Sequence, residues 1–237
     1  MYNTMTGAVY TIYTALLKQK HLLIAGATGS GKSTLVNALI HTALYNGPNR
    51  VQFILIDCKG VELSDYAQLP HTIAHAITPQ DSIKMLRYAV DIMLARFNWM
   101  RSASLKDYSG SDIYIIIDEL ADLMTTSKKE VVPLIQRLTQ LGRAAHIHVI
   151  ACTQCPLREI IPTTIKCNFD SRIALRTASR RDSQNVLDIA GAETLPDPIT
   201  AGRAEMLYKH STQIERYTVP TYSETERRSM IDFWLYS

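Results

Sequence analysis

Eight consecutive residues constrain this chain more than any others. Gly26-Ala27-Thr28-Gly29-Ser30-Gly31-Lys32-Ser33 fits the pattern G-x-x-x-x-G-K-[ST]. The pattern lies between an apolar run, His21 to Ala25, and a stretch of helical period from about Lys32 to Tyr45. In that setting the glycines let successive backbone N–H groups turn inward toward phosphate oxygens, and the following helix adds the positive end of its dipole. The expected phosphate cradle is therefore Gly26, Ala27, Thr28, Gly29, Ser30, Gly31, Lys32, Ser33 and Thr34. Lys32 would reach the β- and γ-phosphates of a nucleoside triphosphate, and Ser33 would ligate Mg²⁺.

A phosphate loop of this kind sits between a strand and a helix, and the rest of the chain supplies the pieces of an α/β fold around it. Short β-branched runs alternate with longer helical stretches, which predicts an α/β fold with a mainly parallel central sheet flanked by helices. Strands are predicted at Val51 to Ile56, Ile113 to Ile117, Ile147 to Ala151 and Arg172 to Leu175. Helices are predicted over 8–19, after Thr78-Pro79-Gln80-Asp81, over Val131 to Ala145, near Asp182 to Ile189, and from Ser223, where Glu226 suggests a capping box. Ile83, Leu86, Val90, Met93, Phe97 and Met100 recur every three or four residues and mark one buried helix face. With no repeat and no low-complexity linker, residues 1–237 are expected to form one domain.

The strand Ile113 to Ile117 runs into Asp118-Glu119, an apolar strand ending in two adjacent acids. Asp118 would hold the Mg²⁺ shell, and Glu119 would orient and deprotonate an attacking water, which points to hydrolysis. Gln154, at the end of the following strand after Thr153, is placed to sense the γ-phosphate.

Several function classes fall away on composition. No apolar run approaches the roughly 20 residues that span a bilayer, and the first residues lack the basic-then-apolar order of a signal peptide; the expected location is cytoplasmic. Cys58, Cys152, Cys155 and Cys167 are too few for a disulfide framework in so long a chain. Cys152 and Cys155 form a CxxC without the second ligand pair of a zinc site, so a buried strand thiol and a loop thiol are expected there.

Taken in order, the motifs resemble the motor domain of the FtsK/SpoIIIE DNA translocases. The resemblance is carried by His21 to Ser33, Phe53 to Lys59 with Val61-Glu62-Leu63-Ser64, Pro70-His71, and Ile116 to Met124. It continues through Gly142-Arg143-Ala144-Ala145, Thr153-Gln154, Asp182-Ser183, Ala190 to Glu193, Glu205 to Tyr208 and Asp232-Phe233-Trp234. Two departures stand out: Thr153-Gln154-Cys155-Pro156 replaces Thr-Gln-Arg-Pro, and Asp57-Cys58-Lys59 replaces Asp-Pro-Lys. The resemblance implies a RecA-like ATPase that uses ATP and Mg²⁺, assembles as a homo-oligomeric ring, expected to be hexameric, and moves double-stranded DNA without sequence readout. No stretch here corresponds to the family's membrane-spanning region or winged-helix DNA reader, so sequence-directed loading is not implied. In a closed ring each nucleotide lies at a subunit boundary, where a neighbour can supply an arginine to the transferring phosphoryl group. Arg143, in the family's Arg-Ala-Ala stretch, and Arg172 are the two candidates.

The net charge of +3 conceals an uneven distribution. Residues 152–181 hold six basic side chains against two acidic ones, a net of +4, and the remainder sums to −1. Such a segment suits contact with DNA phosphates, with Arg158 and Lys166 the candidates nearest the sensor strand and Arg180 and Arg181 alternatives for a subunit boundary. Three functions remain open: an ATP-driven DNA translocase, of use to a mobile element for DNA transfer or packaging; a secretion or coupling ATPase that moves a protein with the same engine; and a nucleotide-dependent scaffold with negligible turnover.

Overall fold

The computed structural model describes residues 4–19 and 21–236, with side chains from residue 11. Residues 1–3, 20 and 237 of the expected domain lie outside the described residues. Among the described residues eight strands form one sheet: β1 (His21–Ala25), β2 (Val51–Ile56), β3 (Thr72–Ala76), β4 (Asp112–Ile117), β5 (Ile147–Thr153), β6 (Ser171–Leu175), β7 (Glu205–His210) and β8 (Gln213–Thr218). Their order is β3-β2-β4-β5-β1-β6-β7-β8. The first six run parallel; β7 and β8 add an antiparallel hairpin at one edge. This is the mainly parallel α/β sheet the sequence predicts.

Successive strand residues point to opposite faces, and both faces are buried. Leu23, Ala25, Ile54, Ile115, Ile117 and Val149 join one apolar core with α3 (Pro79–Ser102) and α4 (Leu120–Leu141). Leu22, Ile24, Phe53, Leu55, Ile116 and Ile150 join the other with α1 (Thr4–Leu17), α2 (Lys32–Ala43) and α8 (Glu224–Tyr236). The short α5 (Thr163–Lys166), α6 (Arg180–Leu187) and α7 (Pro198–Ala201) fill the connections around β6 and β7. Because strands covered on both sides must be apolar throughout, β1, β2 and β4 read as near-continuous runs rather than alternations.

Some predicted boundaries shift, each for a local reason. The helix expected from Val131 starts at Leu120, because the Glu119 carboxylate accepts the Ala121 N–H and caps it. Within it Ser127 leaves helical geometry (φ −143°, ψ 33°). Just before that break, the Thr125 and Thr126 hydroxyls bond back to the Ala121 and Asp122 carbonyls, a competition that bends helices. The same helix ends at Leu141, and residues 142–145 tighten into a 3-10 turn. Three strands, β3, β7 and β8, have no counterpart among the predicted ones. The hairpin between β7 and β8 turns through Ser211-Thr212, with Ser211 at φ 55°, and lacks the Asn-Gly or Asp-Gly pair that marks such turns in a sequence. By contrast the Thr78 cap with Pro79 at the first helical position and the Ser223/Glu226 capping box are both present.

Candidate nucleotide site

β1 lies between β5 and β6, and the phosphate loop leaves its C-terminal end beside the C-terminal ends of β5 and β4. Lys32, Asp118, Glu119, Thr153 and Gln154 therefore converge from three chain segments whose outer residues are 122 apart in sequence. The loop's shape depends on glycine at two places. Gly31 has φ 95°, and a Cβ there would come within 2.7 Å of Ala204 Cβ; Gly26 approaches the sheet so closely that a Cβ would meet Leu175 Cβ at 2.8 Å. Both are sites where any side chain forces the loop off the sheet.

The charges at the site are buried and paired. Lys32 Nζ donates to Asp118 Oδ1 at 2.8 Å and to the Asp118 carbonyl at 2.7 Å, with both side chains nearly inaccessible. Burial works against the lysine's charge, but the facing Cys152, Asp118 and Glu119 outweigh it and raise its pKa above the ordinary lysine value. Burial pushes the thiol of Cys152, at the end of β5, up to about 12. Cys152 is thus the expected buried strand thiol, and Cys155 the exposed loop thiol.

Both oxygens of Glu119 are engaged. Oε1 accepts from Thr153 Oγ1 at 2.7 Å and from the Ala121 N–H at 3.1 Å; Oε2 accepts from the Gln154 N–H at 2.9 Å. Glu119 thereby ties the end of β4 to the end of β5 and caps α4. Across the mouth of the site, Thr28 Oγ1 donates to Gln154 Oε1 at 2.7 Å, so the phosphate loop and the C-terminal end of β5 touch through side chains. Thr153 is the residue that sequence reasoning underrated: it is fully buried and also accepts the Cys155 N–H.

The residues present fit a triphosphate and its metal. Ser30 Oγ is buried with no hydrogen-bond partner among the described residues, and the N–H groups of the first helical turn, from Lys32 to Thr34, have no intrahelical acceptor. Both are donors a phosphate would satisfy. Ser33, at half-buried depth, and Asp118 offer the hard oxygen ligands Mg²⁺ takes.

Other predicted residues lie elsewhere. Arg143 immediately precedes β5 in the 3-10 turn, at the N-terminal end of the sheet. A strand of this length separates it from its own phosphate loop by about 20 Å. It is exposed and lines a cleft of about 750 Å³ with Asp112, His146 and His148. Arg172 is also at that end, but its guanidinium is held by Asp188 at 2.7 Å and by the Phe169 and Val186 carbonyls.

The basic segment divides similarly. Lys166 Nζ bonds to Asp188 Oδ1 (2.7 Å) and to the Asn185 carbonyl; Arg176 pairs with Asp197. Asp188 and Asp197 lie outside residues 152–181, so the structure neutralises three of that segment's six cations with acids the sequence window omitted. Arg158, Arg180 and Arg181 stay exposed. Arg158 follows the sensor end of β5, whereas Lys166 is tied to α6; the two DNA candidates are not brought together.

The model of the FtsK/SpoIIIE family matches residues 3–115 and 111–158. The chain belongs to the FtsK/SpoIIIE family. A DNA translocase FtsK from Caldanaerobacter subterraneus is 42% identical over 205 residues, which cover 81% of this chain and 28% of that protein. The chain thus spans under a third of that relative. Among solved structures, the pCW3 conjugation coupling protein TcpA, with ATPγS, superposes with a TM-score of 0.78 at 25% identity, over 92% of this chain and 66% of that one. The cytoplasmic domain of the Thermomonospora curvata type VII secretion ATPase EccC gives the same TM-score at 22% identity, over 92% of this chain and 28% of that one. The fold is that of P-loop ATPases, and the phosphate loop, Asp118-Glu119 and Thr153-Gln154 of this FtsK/SpoIIIE member lie together at the C-terminal ends of its central strands. Among the described residues no helix is long and apolar enough to cross a membrane.

Proposed function

We propose that the chain is the ATP-hydrolysing core of a cytoplasmic motor that translocates double-stranded DNA independently of sequence, with copies of one folded unit, residues 1–237, arranged in a ring of six. The observation that carries this reading is the convergence of Lys32, Asp118 and Glu119 on one buried, hydrogen-bonded site beside Thr153 and Gln154. A carboxylate held beside the phosphate loop supports hydrolysis over nucleotide binding alone.

In the proposed cycle the amides from Gly26 to Thr34 and the Lys32 ammonium bind the β- and γ-phosphates. Ser33 and Asp118 hold Mg²⁺, which when bound supplies Lewis-acid polarisation of the phosphate oxygens. Lys32, paired with Asp118 in this structure, would turn to phosphate, leaving the Asp118 carboxylate as an oxygen ligand that would hold the metal. Glu119 orients the attacking water and accepts its proton, while Gln154, released from Thr28, registers the γ-phosphate. Arg143 cannot serve its own site across the length of a strand, so it serves a neighbour's; its guanidinium, unpaired among the described residues, favours it over the ion-paired Arg172. Arg158 is the candidate for phosphate contact along the DNA. Similarity to the conjugation coupling protein TcpA favours DNA transfer by a mobile element as the setting.

The deciding experiment is ATPase rate with and without linear duplex DNA over a salt series. Stimulation by DNA that weakens as salt rises supports the translocase, because phosphate contacts release counterions. Turnover indifferent to DNA supports a protein-moving ATPase, and absent turnover a scaffold.

A further inference from the structure

Arg143 is presented by a turn that is braced at every carbonyl. His146 donates its N–H to the Arg143 carbonyl at 3.1 Å, and Tyr108 donates its N–H to the Ala144 carbonyl at 2.9 Å. The buried Arg96 donates from Nη1 to the carbonyls of Ala145 (2.7 Å) and His146 (3.1 Å), and from Nη2 to Ser111 Oγ. Its guanidinium lies 4.1 Å from the centre of the Tyr108 ring, whose edge also meets the His146 imidazole. Gly142 opens the turn against the Ile147 carbonyl, where a Cβ would come within 2.6 Å. At its close His146 adopts φ 52°, ψ 44°, a left-handed conformation that is uncommon for residues other than glycine and that asparagine, aspartate and histidine enter more readily than alanine does. The His146 ring is set beside Asp112, with Nδ1 3.1 Å from Oδ1.

Against this framework the Arg143 side chain itself makes no ion pair or hydrogen bond among the described residues. A rigid, strained turn that ends in an exposed, unpartnered guanidinium is unusual, because strain persists where the surroundings over-determine it and clusters at functional sites. Arg96 is dedicated to the same turn. It interrupts the apolar face of α3 between Met93 and Met100, and all its hydrogen bonds go to the turn and to the Ser111 hydroxyl beside it.

We propose that His146 and Arg96, with the Tyr108 ring between them, are positioning residues that fix the direction of Arg143 toward the nucleotide of a neighbouring copy. This rests on the reading that Arg143 acts in trans. The left-handed turn at His146 aims the arginine, and Arg96 prevents the turn from relaxing.

The test compares His146→Ala, His146→Gly, His146→Asn and Tyr108→Leu for ATPase turnover and for affinity toward a fluorescent ATP analogue. Alanine resists the left-handed turn, so kcat is expected to fall about tenfold with analogue affinity within twofold of wild type. Glycine and asparagine accept the turn and are expected to stay within about threefold. Tyr108→Leu, on a partly exposed loop, gives a smaller kcat loss and serves if His146→Ala does not fold. Each impaired variant is then mixed with Lys32→Ala, which cannot turn over but carries an intact Arg143 turn. Mixing should restore turnover per His146→Ala or Tyr108→Leu protomer, as it should for Arg143→Ala; a merely unstable protomer would gain nothing. If Arg143→Ala is fully active, or is not rescued by mixing, the trans reading itself fails. If Arg143→Ala behaves as expected but the folded turn variants keep wild-type kcat or are not rescued, the positioning role alone is overturned.

Discussion

Thr153 donates a 2.7 Å hydrogen bond to Glu119 between the ends of adjacent strands, with both residues buried. The hydroxyl holds the carboxylate at the site and takes the Cys155 N–H in return. Replacing it with valine keeps the shape, removes the donor and leaves that N–H without its acceptor. One hydrogen bond to a charged group is worth about 1.5 kcal/mol, or roughly tenfold in rate. Thr153→Val is therefore expected to lower kcat about tenfold while nucleotide affinity stays near wild type. Single-turnover phosphate release together with equilibrium nucleotide binding checks it; an unchanged kcat would show that Glu119 needs no such support.

Glu119→Gln tests the carboxylate itself. The amide can still accept the Gln154 N–H and donate to the Thr153 hydroxyl, so the strand link largely survives. What is lost is the proposed base, and a loss of about 10² to 10⁴ in turnover is expected, with ATP binding retained. Steady-state hydrolysis at saturating ATP is the measurement, and wild-type-like turnover would remove Glu119 from the chemistry.

Asp57 supplies a pH dependence of stability. It is buried at the end of β2, and its two oxygens accept four backbone N–H groups, from Lys59, Gly60, Glu62 and Leu63. Burial alone would raise its pKa, but these bonds favour the carboxylate and hold the pKa below the usual aspartate value. A depressed folded-state pKa contributes stability that is fully present above the unfolded value of about 3.9 and is lost as pH falls through the lower folded value. Thermal melts between pH 6 and pH 2.5 on wild type and Asp57→Asn should converge at the acid end. Parallel curves would count against the cage as a stabilising device.

The candidate site was legible in the sequence wherever its patterns are local. The phosphate loop, Asp118-Glu119 and Thr153-Gln154 are short patterns at strand ends, and the apolar runs that form β1, β2, β4, β5 and β6 announce themselves because both faces of the sheet are covered. What stayed hidden is non-local. Nothing near Lys166 or Arg172 in sequence reveals that Asp188 takes both, together with Lys209, so a window of +4 overstated the free charge. Likewise Arg96 is a lone arginine within an apolar stripe, one turn from Met93 and Met100, which signals a buried charge without naming the carbonyls of Ala145 and His146 as its partners. The β7–β8 hairpin went unseen because its turn residues carry no glycine.

Lys166, Arg172 and Lys209 also donate to the last carbonyls of α6, those of Asn185, Val186 and Leu187. They neutralise the negative end of the helix as well as Asp188, and hold its carboxyl well below the usual carboxylate range despite partial burial. With the carboxylate about half exposed, three such pairs contribute together about 1 to 2 kcal/mol. Asp188→Asn is expected to lower the melting temperature by several degrees and leave nucleotide affinity unchanged, as calorimetry and analogue binding would show.

The same clamp separates two kinds of basic residue in the proposed DNA binding. Arg158 is exposed in the segment after β5, whereas Lys166 is committed to Asp188 and α6. A side chain that neutralises one phosphate contributes about one unit to the slope of log affinity against log salt. Arg158→Ala is therefore expected to weaken duplex binding similarly for unrelated sequences and to reduce that slope by about one. Lys166→Ala should leave the slope unchanged and lower the melting temperature instead. Fluorescence anisotropy with two unrelated duplexes across a salt series, run beside thermal melts, distinguishes them. If Lys166→Ala lowers the slope and Arg158→Ala does not, the DNA path follows α5 and α6 rather than the sensor end of β5.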